Sequence, residues 1–560
     1  MRYSMSYKQH YEEWLLKTDE DTQKELLSVI ENEDEIKDRF YAPLSFGTAG
    51  LRGVMGAGLN RMNKYIVRHT TQALANLINQ RKMNHMGVVV GYDTRLNSHF
   101  FAFEVCRVLT ANNIKVYMFD ELRPTAEVSY AILKMKAAAG INITASHNPR
   151  EYNGYKLYWS DGIQISPAEA EIISKERENT DLFSDVMLAD DEKTENNIIY
   201  LDKSFDDGFL KEISNLTINK NVILEQKDLA IVYTPLFGAG YRLVPEVLKR
   251  AGFENIVAVS EQSQPDGNFP GIKTPNPEYA ENLELAIKTA RQQGSELIIG
   301  TDADADRIGI AIRTDTGNYI TLTGNQTGVI LLEYMLSARK NAGTLPEKAA
   351  AVKTIVTTEL ASRICENYGV EIYNVLTGFK YIGEKIDEFK KTGRTYVFGY
   401  EESYGYLLGD YARDKDSVSA ALLICEAAAY YKSCGKTLYV ALNDIFEKYG
   451  YHAEDTSELY MKGIDGLEKM QATMNNLREN APIELGGIKI VQVKDYLAGS
   501  DGLPKSNVLY YIFEDGTVLI IRPSGTEPKI KIYILTRGNN KTDTEEKINL
   551  IKSDINMKYV

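Results

Sequence analysis

Four short loops gather the side chains in this sequence that could do chemistry. The first, Thr144-Ala145-Ser146-His147-Asn148-Pro149, follows a run of apolar residues of the kind found in buried strands. Pro149 and its short polar neighbours force a tight turn at the carboxyl end of that run, where ligand sites of α/β sheets lie. Ser146 can serve there as a nucleophile, with His147 beside it to polarise the hydroxyl. A turn built from ordinary turn formers is the plainer reading. The second loop, after Leu297-Ile298-Ile299, places Asp302, Asp304 and Asp306 at alternate positions, followed by Arg307. Carboxylates that close repel one another by on the order of a few kcal/mol in a partly desolvated loop. A cation is therefore expected among them, and Mg²⁺ or Ca²⁺ takes oxygen ligands. An EF-hand fails here, because Arg307 stands where its loop needs Gly and Arg313 where it needs Glu. A dehalogenase-type D-x-D nucleophile also follows a strand, but Ala305-Asp306 replaces the Gly-Thr expected after it. A solvated acidic turn is the remaining alternative.

The third loop, Gly399 to Gly405, sets Glu401, Glu402 and Ser403 between glycines. Such acceptors suit the vicinal hydroxyls of a sugar, although an exposed acidic turn would look the same. The fourth, Arg522-Pro523-Ser524-Gly525-Thr526-Glu527-Pro528-Lys529, combines hydroxyls, a glycine and flanking cations, the makings of a phosphate-sized anion nest or of a polar hairpin turn. No G-x-x-x-x-G-K-[ST] occurs, so a nucleotide P-loop is excluded.

Short β-branched runs alternating with amphipathic stretches must position these loops. Val88–Val90, Lys115–Phe119 and Gly140–Ile143 read as strands of a first, mainly parallel sheet covered on both faces. The pattern restarts after the charged stretch Asp190–Asn197, with Asp228–Tyr233, Ile256–Val259 and Leu297–Ile299. It restarts again with Val352–Val356, Glu371–Val375, Tyr396–Phe398 and an apolar helix from Ser417 to Tyr431. The last hundred or so residues differ: Ile488–Val493, Val508–Phe513, Thr517–Arg522 and Lys529–Thr536 read as strands joined by turns such as Glu514-Asp515-Gly516. The expected organisation is a helical leader (1–39) and three consecutive α/β domains (40–205, 206–320, 321–455) with mixed, mainly parallel sheets. A C-terminal α+β domain (456–560) follows, and the active site is expected in the central cleft.

The chain has 560 residues, which at about 150 per domain agrees with that count. Lys and Arg number 64 against 78 Asp and Glu, a net charge of −14. A diffuse nucleic-acid or anionic-membrane binder is disfavoured, because such proteins present a basic face. An anionic substrate would need a local cluster of Arg and Lys. The four cysteines form no C-x-x-C pair, so a disulfide scaffold and a thiolate zinc site are poorly supported. The opening residues lack the apolar core of a signal peptide and no apolar run is long enough to span a bilayer, so a cytoplasmic protein is expected; no obligate protein partner is evident in the sequence.

Taken together and in this order, the T-A-S-H-N-P, D-x-D-x-D-R and R-x-S-G-T-E-P loops resemble the α-D-phosphohexomutases, the family of phosphoglucomutases, phosphomannomutases and relatives. Gly47-Thr48-Ala49-Gly50-Leu51-Arg52-Gly53, Gly91-Tyr92-Asp93-Thr94-Arg95, Thr234-Pro235-Leu236-Phe237-Gly238 and Pro265-Asp266-Gly267-Asn268-Phe269-Pro270 match as well. Thr377-Gly378-Phe379-Lys380 is similar to the sugar-specificity loop of the phosphoglucomutase and phosphopentomutase branch. The resemblance implies a phosphoserine at Ser146 and Mg²⁺ held by Asp302, Asp304, Asp306 and the Ser146 phosphoryl group. Arg52 and Arg307 would neutralise the moving phosphoryl group, and Lys156 would shuttle protons with His147 beside it. Thr377, Gly378, Lys380, Glu401, Ser403 and Lys415 would contact the sugar phosphate, and Arg522, Ser524, Gly525 and Thr526 the phosphate that is not reacting. Glucose 1,6-bisphosphate would be the intermediate and activator between glucose 1-phosphate and glucose 6-phosphate, with mannose or pentose phosphates as alternatives. Two departures bear on the sugar: Arg150-Glu151-Tyr152 replaces the family's Gly-Gly, and Glu-Glu-Ser-Tyr-Gly replaces Gly-Glu-x-Ser-Gly. A metal-dependent phosphatase would use the same aspartates without needing separate sugar and phosphate loops. A sugar-phosphate sensor could dispense with Ser146.

Overall fold

The computed structural model describes residues 5–47, 50–461, 466–524 and 529–559. Thr48 and Ala49 of the first glycine-rich motif, and Gly525 and Thr526 of the expected phosphate loop, lie outside the described residues. The chain divides into two compact units, Met1–Ala311 with Leu407–Cys425, and Ile312–Tyr406 with Glu426–Val560.

In the first unit, helices α1 (Tyr7–Lys17), α2 (Glu20–Ser28) and α3 (Glu33–Phe40) each start on a side chain that caps the free N–H groups: Ser6, Asp19 and Asn32. These helices are not a separate leader. Trp14 is fully buried and packs edge-on against Phe40, Tyr65 and Phe183, with centroids at 5.6, 5.4 and 5.9 Å. That places the segment in the same apolar core as the first sheet.

The first sheet contains β1 (Leu51–Val54), β2 (Val88–Tyr92), β3 (Val116–Phe119), β4 (Ala139–Ile143), β5 (Tyr152–Trp159) and β6 (Ile198–Leu201), in the order β1-β5-β4-β2-β3-β6. β2, β3 and β4 are buried along their whole length, as strands covered on both faces must be. They pair in parallel, whereas β5 runs antiparallel to both β4 and β1. Sequence reading missed β5, because Asn153-Gly154 looks like a turn. Here Gly154 lies within the strand, and its lack of a side chain is required because a Cβ on it would lie 2.4 Å from the Thr144 carbonyl oxygen. The antiparallel return matters chemically: it sets Lys156 opposite Asn142, beside the Ser146 loop. The second sheet holds β7 (Ile231–Thr234), β8 (Ile256–Ala258), β9 (Leu297–Thr301) and β10 (Ile308–Arg313), with β7 between β8 and β9 and parallel to both.

After the short strand β11 (Tyr319–Thr321), the second unit carries β12 (Ala349–Thr354), β13 (Glu371–Val375), β14 (Thr395–Glu401) and β15 (Gly405–Leu408), in the order β13-β12-β14-β15. The last sheet holds β16 (Tyr451–Tyr460), β17 (Glu484–Leu485), β18 (Ile488–Asp495), β19 (Leu509–Phe513), β20 (Val518–Pro523) and β21 (Lys529–Gly538), antiparallel throughout. Three α/β layers and a C-terminal α+β domain are therefore present, as the sequence leads one to expect. The expected boundary at 455/456 falls inside β16, all of which pairs with β21. We place that boundary before Tyr451. The strand escapes sequence reading because Glu454, Asp455 and Glu458 interrupt any apolar alternation along it.

Trp14→Ala is expected to cost the first unit about 3–5 kcal/mol, the usual penalty for emptying a buried aromatic site. A urea titration should show the loss as an earlier unfolding transition. An unchanged midpoint would mean that the amino-terminal helices are not part of this core.

Candidate active site

The sequence places Ser146 at the end of β4, and the structure adds what holds it there. Ser146 adopts a left-handed backbone conformation with φ of +51°, strained for a residue with a Cβ and sustained only by its surroundings. Thr144 Oγ1 accepts the Ser146 N–H at 2.8 Å and donates to Asp93 Oδ2 at 2.6 Å. Arg95, fully buried, donates to the carbonyls of Ser146, Asn148, Pro149 and Tyr152 at 2.5, 2.5, 2.9 and 3.2 Å. Asp93 lies 3.4 Å from the Arg95 guanidinium. Burial pushes the Asp93 carboxyl up, and the Arg95 charge opposes it. Gly91-Tyr92-Asp93-Thr94-Arg95 is thus a clamp around the serine loop. Gly267 explains its companion motif: a Cβ there would sit 2.6 Å from the Thr94 carbonyl oxygen, so that loop packs directly on the clamp.

Asp302, Asp304 and Asp306 are buried together, with one oxygen of each within 4.8 Å of the others. Asp302 Oδ1 accepts the backbone N–H groups of Asp306 and Arg307, both at 3.0 Å. Its other oxygen accepts the Ser146 hydroxyl at 2.9 Å. Lys156 Nζ reaches Asp304 Oδ2 at 2.7 Å and Asp306 Oδ2 at 2.9 Å, and Lys415 Nζ reaches Asp306 Oδ2 at 3.2 Å. Two further oxygens, Asp304 Oδ1 and Asp306 Oδ1, are buried with no hydrogen-bond partner. Hard, unsatisfied carboxylate oxygens facing a serine hydroxyl fit a divalent cation. Gly238 lets the neighbouring loop brace this one, since its Cβ would meet the Asp302 carbonyl oxygen at 2.6 Å, and Ala239 N–H donates to the Ala303 carbonyl at 2.8 Å.

The charges respond as burial and proximity require. Burial and the two neighbouring aspartates push the Asp302 carboxyl well above its ordinary value. Burial acts likewise on Asp306, but Lys156, Lys415 and Arg307 outweigh it and hold that carboxyl low. Burial pulls the Lys156 ammonium down, and Asp304 and Asp306 more than reverse it, so Lys156 is held protonated. His147 Nδ1 lies 3.2 Å from Ser146 Oγ. Burial, then the charges of Arg307 and Arg52, hold its imidazole neutral. Arg52 donates to Asn148 Oδ1 at 2.8 Å. The site is a patch of cations and carboxylates inside an acidic chain. Lys415, expected among the sugar contacts, pairs with Asp306 and with Asp414, the latter at 3.0 Å.

The second unit holds the remaining expected residues. Gly378, at φ of +121°, donates its N–H to Glu401 Oε1 at 2.8 Å, tying the Thr377–Lys380 loop to the Glu401–Ser403 loop. Burial lowers the Lys380 ammonium, with Glu384 opposing. Glu402, raised by burial against the pull of Arg522, accepts the Thr354 hydroxyl at 3.2 Å. Arg522 sits 5.8 Å from the Tyr533 ring centroid, and its Nε is buried without a hydrogen-bond partner. Ser524 N–H donates to the Lys529 carbonyl at 2.8 Å.

Comparison with known proteins gives the same reading from outside. Models of the phosphoglucomutase/phosphomannomutase family match in order: alpha/beta/alpha domain I over residues 43–183, domain II over 207–317, domain III over 323–449 and the C-terminal domain over 472–544. A phosphoglucomutase from Staphylococcus haemolyticus is 35% identical over 516 residues, 90% of this chain and 92% of that one. The structure of pp63/parafusin, a Paramecium phosphoglucomutase, superposes with a TM-score of 0.71 at 19% identity, over 92% of this chain and 95% of that one. An N-acetylphosphoglucosamine mutase from Aspergillus fumigatus, solved with GlcNAc-6P and magnesium, gives 0.53 at 12% identity, over 97% of this chain and 100% of that one. At those identities the structural likeness speaks for the fold.

Arg95→Lys is expected to keep a charge beside Asp93 but lose most of the four carbonyl contacts. Turnover should fall about a hundredfold, the scale of a displacement near 1 Å at a reacting group. Arg95→Met should in addition leave Asp93 buried and unpaired, at about 3–5 kcal/mol in urea unfolding. Near-normal turnover in Arg95→Lys would show that the clamp does not set the position of Ser146.

Proposed function

The chain belongs to the phosphoglucomutase/phosphomannomutase family, and on that footing we propose that it interconverts glucose 1-phosphate and glucose 6-phosphate through a phosphoserine at Ser146. One observation carries the reading: the Ser146 hydroxyl lies 2.9 Å from the first carboxylate of a buried triad that retains unpartnered oxygens. A phosphatase or a sensor has no use for two further loops that suit a sugar and a distal phosphate.

Ser146 Oγ carries the phosphoryl group and gives it to the free C1 or C6 hydroxyl of the bound sugar phosphate. Glucose 1,6-bisphosphate results, and after it turns over, Ser146 takes back the phosphate from the other end. Asp302, Asp304 and Asp306 would hold Mg²⁺, which offsets negative charge on a transferring phosphoryl group. Arg52 and Arg307 add positive charge at the same place. Lys156 is held protonated by two aspartates, which suits it to donate a hydrogen bond to the sugar oxygen that leaves or receives phosphate. His147, neutral and beside Ser146 Oγ, is placed to take up a proton there. Thr377, Gly378, Lys380, Glu401 and Ser403 would orient the sugar hydroxyls. Arg522, Ser524, Gly525 and Thr526 would bind the phosphate that is not reacting. We take Lys415 to set the charge of Asp306 rather than to grip the sugar.

We further take the chain to act in the cytoplasm on small-molecule sugar phosphates. Cys106, Cys365, Cys425 and Cys434 are free thiols, as suits a reducing compartment. Among the described residues no helix is long and apolar enough to cross a membrane.

Ser146→Ala is expected to lower mutase turnover by several orders of magnitude, since it removes the covalent relay. Intact mass of the wild-type protein after glucose 1,6-bisphosphate treatment should show one phosphate increment that Ser146→Ala lacks. A variant as active as the wild type would overturn the relay. Release of free phosphate in place of glucose 6-phosphate would make the protein a phosphatase.

A panel of sugar 1-phosphates tests the substrate. Glucose 1-phosphate should show the highest kcat/KM, with its epimer mannose 1-phosphate roughly ten- to hundredfold lower, the cost of leaving a site hydrogen bond unpaired. A higher kcat/KM for ribose 1-phosphate would identify a pentose enzyme.

A further inference from the structure

Thr125 opens the helix Thr125–Met135, behind Pro124 at its amino-terminal cap. It lies outside the four loops and the glycine-rich motifs. Its backbone N–H donates to the Asp304 carbonyl at 2.9 Å, and its hydroxyl donates to Asp304 Oδ2 at 2.8 Å. Asn142 Nδ2 donates to that same hydroxyl at 3.0 Å. All three side chains are buried from solvent. Asn142 lies on β4, four residues before Ser146, and faces Lys156 across the hairpin. Lys156 in turn holds Asp304 Oδ2 at 2.7 Å. The result is a closed ring: Asn142 to Thr125, Thr125 to Asp304, Asp304 to Lys156, and Lys156 back through the strand pairing to Asn142.

The ring decides which oxygen of Asp304 is offered outward. A hydroxyl that accepts from an amide has its own proton left to donate, so Asn142 aims the Thr125 proton at Asp304 Oδ2. With Oδ2 committed to Thr125 and Lys156, Oδ1 remains the buried, unpartnered oxygen. Partners behind a metal-binding carboxylate fix its rotation, and losing one commonly weakens metal binding by about 10- to 100-fold. We propose that Thr125 is a positioning residue for the carboxylate triad, linking the strand that bears Ser146 to the oxygen of Asp304 that faces a divalent cation. The inference rests on reading the triad as a divalent-cation site.

The test is Mn²⁺ titration of the full-length, dephosphorylated protein followed by electron paramagnetic resonance, with Mg²⁺ as competitor. The wild type should bind Mn²⁺ and release it to Mg²⁺. Thr125→Val keeps the shape and removes the donor; its Mn²⁺ affinity should fall about tenfold or more, with KM for glucose 1-phosphate little changed. Thr125→Ser should restore the affinity, which repair of packing alone would not do. Equal affinity in wild type and Thr125→Val overturns the inference while leaving the cation site standing. Absence of Mn²⁺ binding to the wild type removes the cation site and this inference with it. Should Thr125→Val fail to fold, Asn142→Ala carries the same test by freeing the threonine hydroxyl to rotate, and unchanged affinity there overturns the inference equally.

Discussion

Three aspartates whose oxygens lie within 4.8 Å of one another, all out of solvent, cannot keep their charge unaided. Everything around them answers that constraint. Two lysines, from β5 and from the segment after β15, hold the inward oxygens of Asp304 and Asp306. Backbone N–H groups hold one oxygen of Asp302. What is left outward is a set of hard acceptors beside a serine hydroxyl, so the geometry that makes the triad tolerable also leaves oxygens of the kind a divalent cation takes.

The serine loop is governed by a second constraint, the strained backbone at Ser146. Left-handed geometry with a side chain costs on the order of 1–3 kcal/mol and must be over-determined by its neighbours. Arg95 supplies this with four carbonyl contacts from one buried guanidinium. Because the Pro265–Pro270 loop packs on the clamp and the Thr234–Gly238 loop packs on the aspartate loop, segments that follow strands of the second sheet brace both the serine loop and the triad. The glycines in those motifs are steric requirements, since backbone passes where a Cβ would stand.

The Thr377–Lys380 and Glu401–Ser403 loops of the second unit follow a softer logic. Glu401 spends one oxygen on the Gly378 N–H, which joins the two loops into one surface. Glu402 is half-buried and feels the charge of Arg522, which opposes the effect of desolvation on its carboxyl. Discrimination between epimers would come from which acceptors remain after such internal bonds are made, and that is a property of the folded loops.

The amino-acid sequence by itself determined the parallel layers and the four loops, because strand runs, turn formers and alternating aspartates are local signals. Ser146, the three aspartates and Arg522 could be read that way. Tertiary structure decided what those residues touch. Lys156 comes to the triad only because Asn153-Gly154, which looks like a turn, continues as strand β5. Lys415 belongs to the triad, although it lies more than a hundred residues from it in sequence. Thr125 carries no local signature, and the motif that contains Arg95 does not reveal what it touches, for their bonds to Asp304 and to the serine loop span 179 and about 50 residues. The reason is physical: periodicity records which face of an element is buried, whereas a hydrogen bond between distant segments exists only once packing has brought donor and acceptor within about 3 Å.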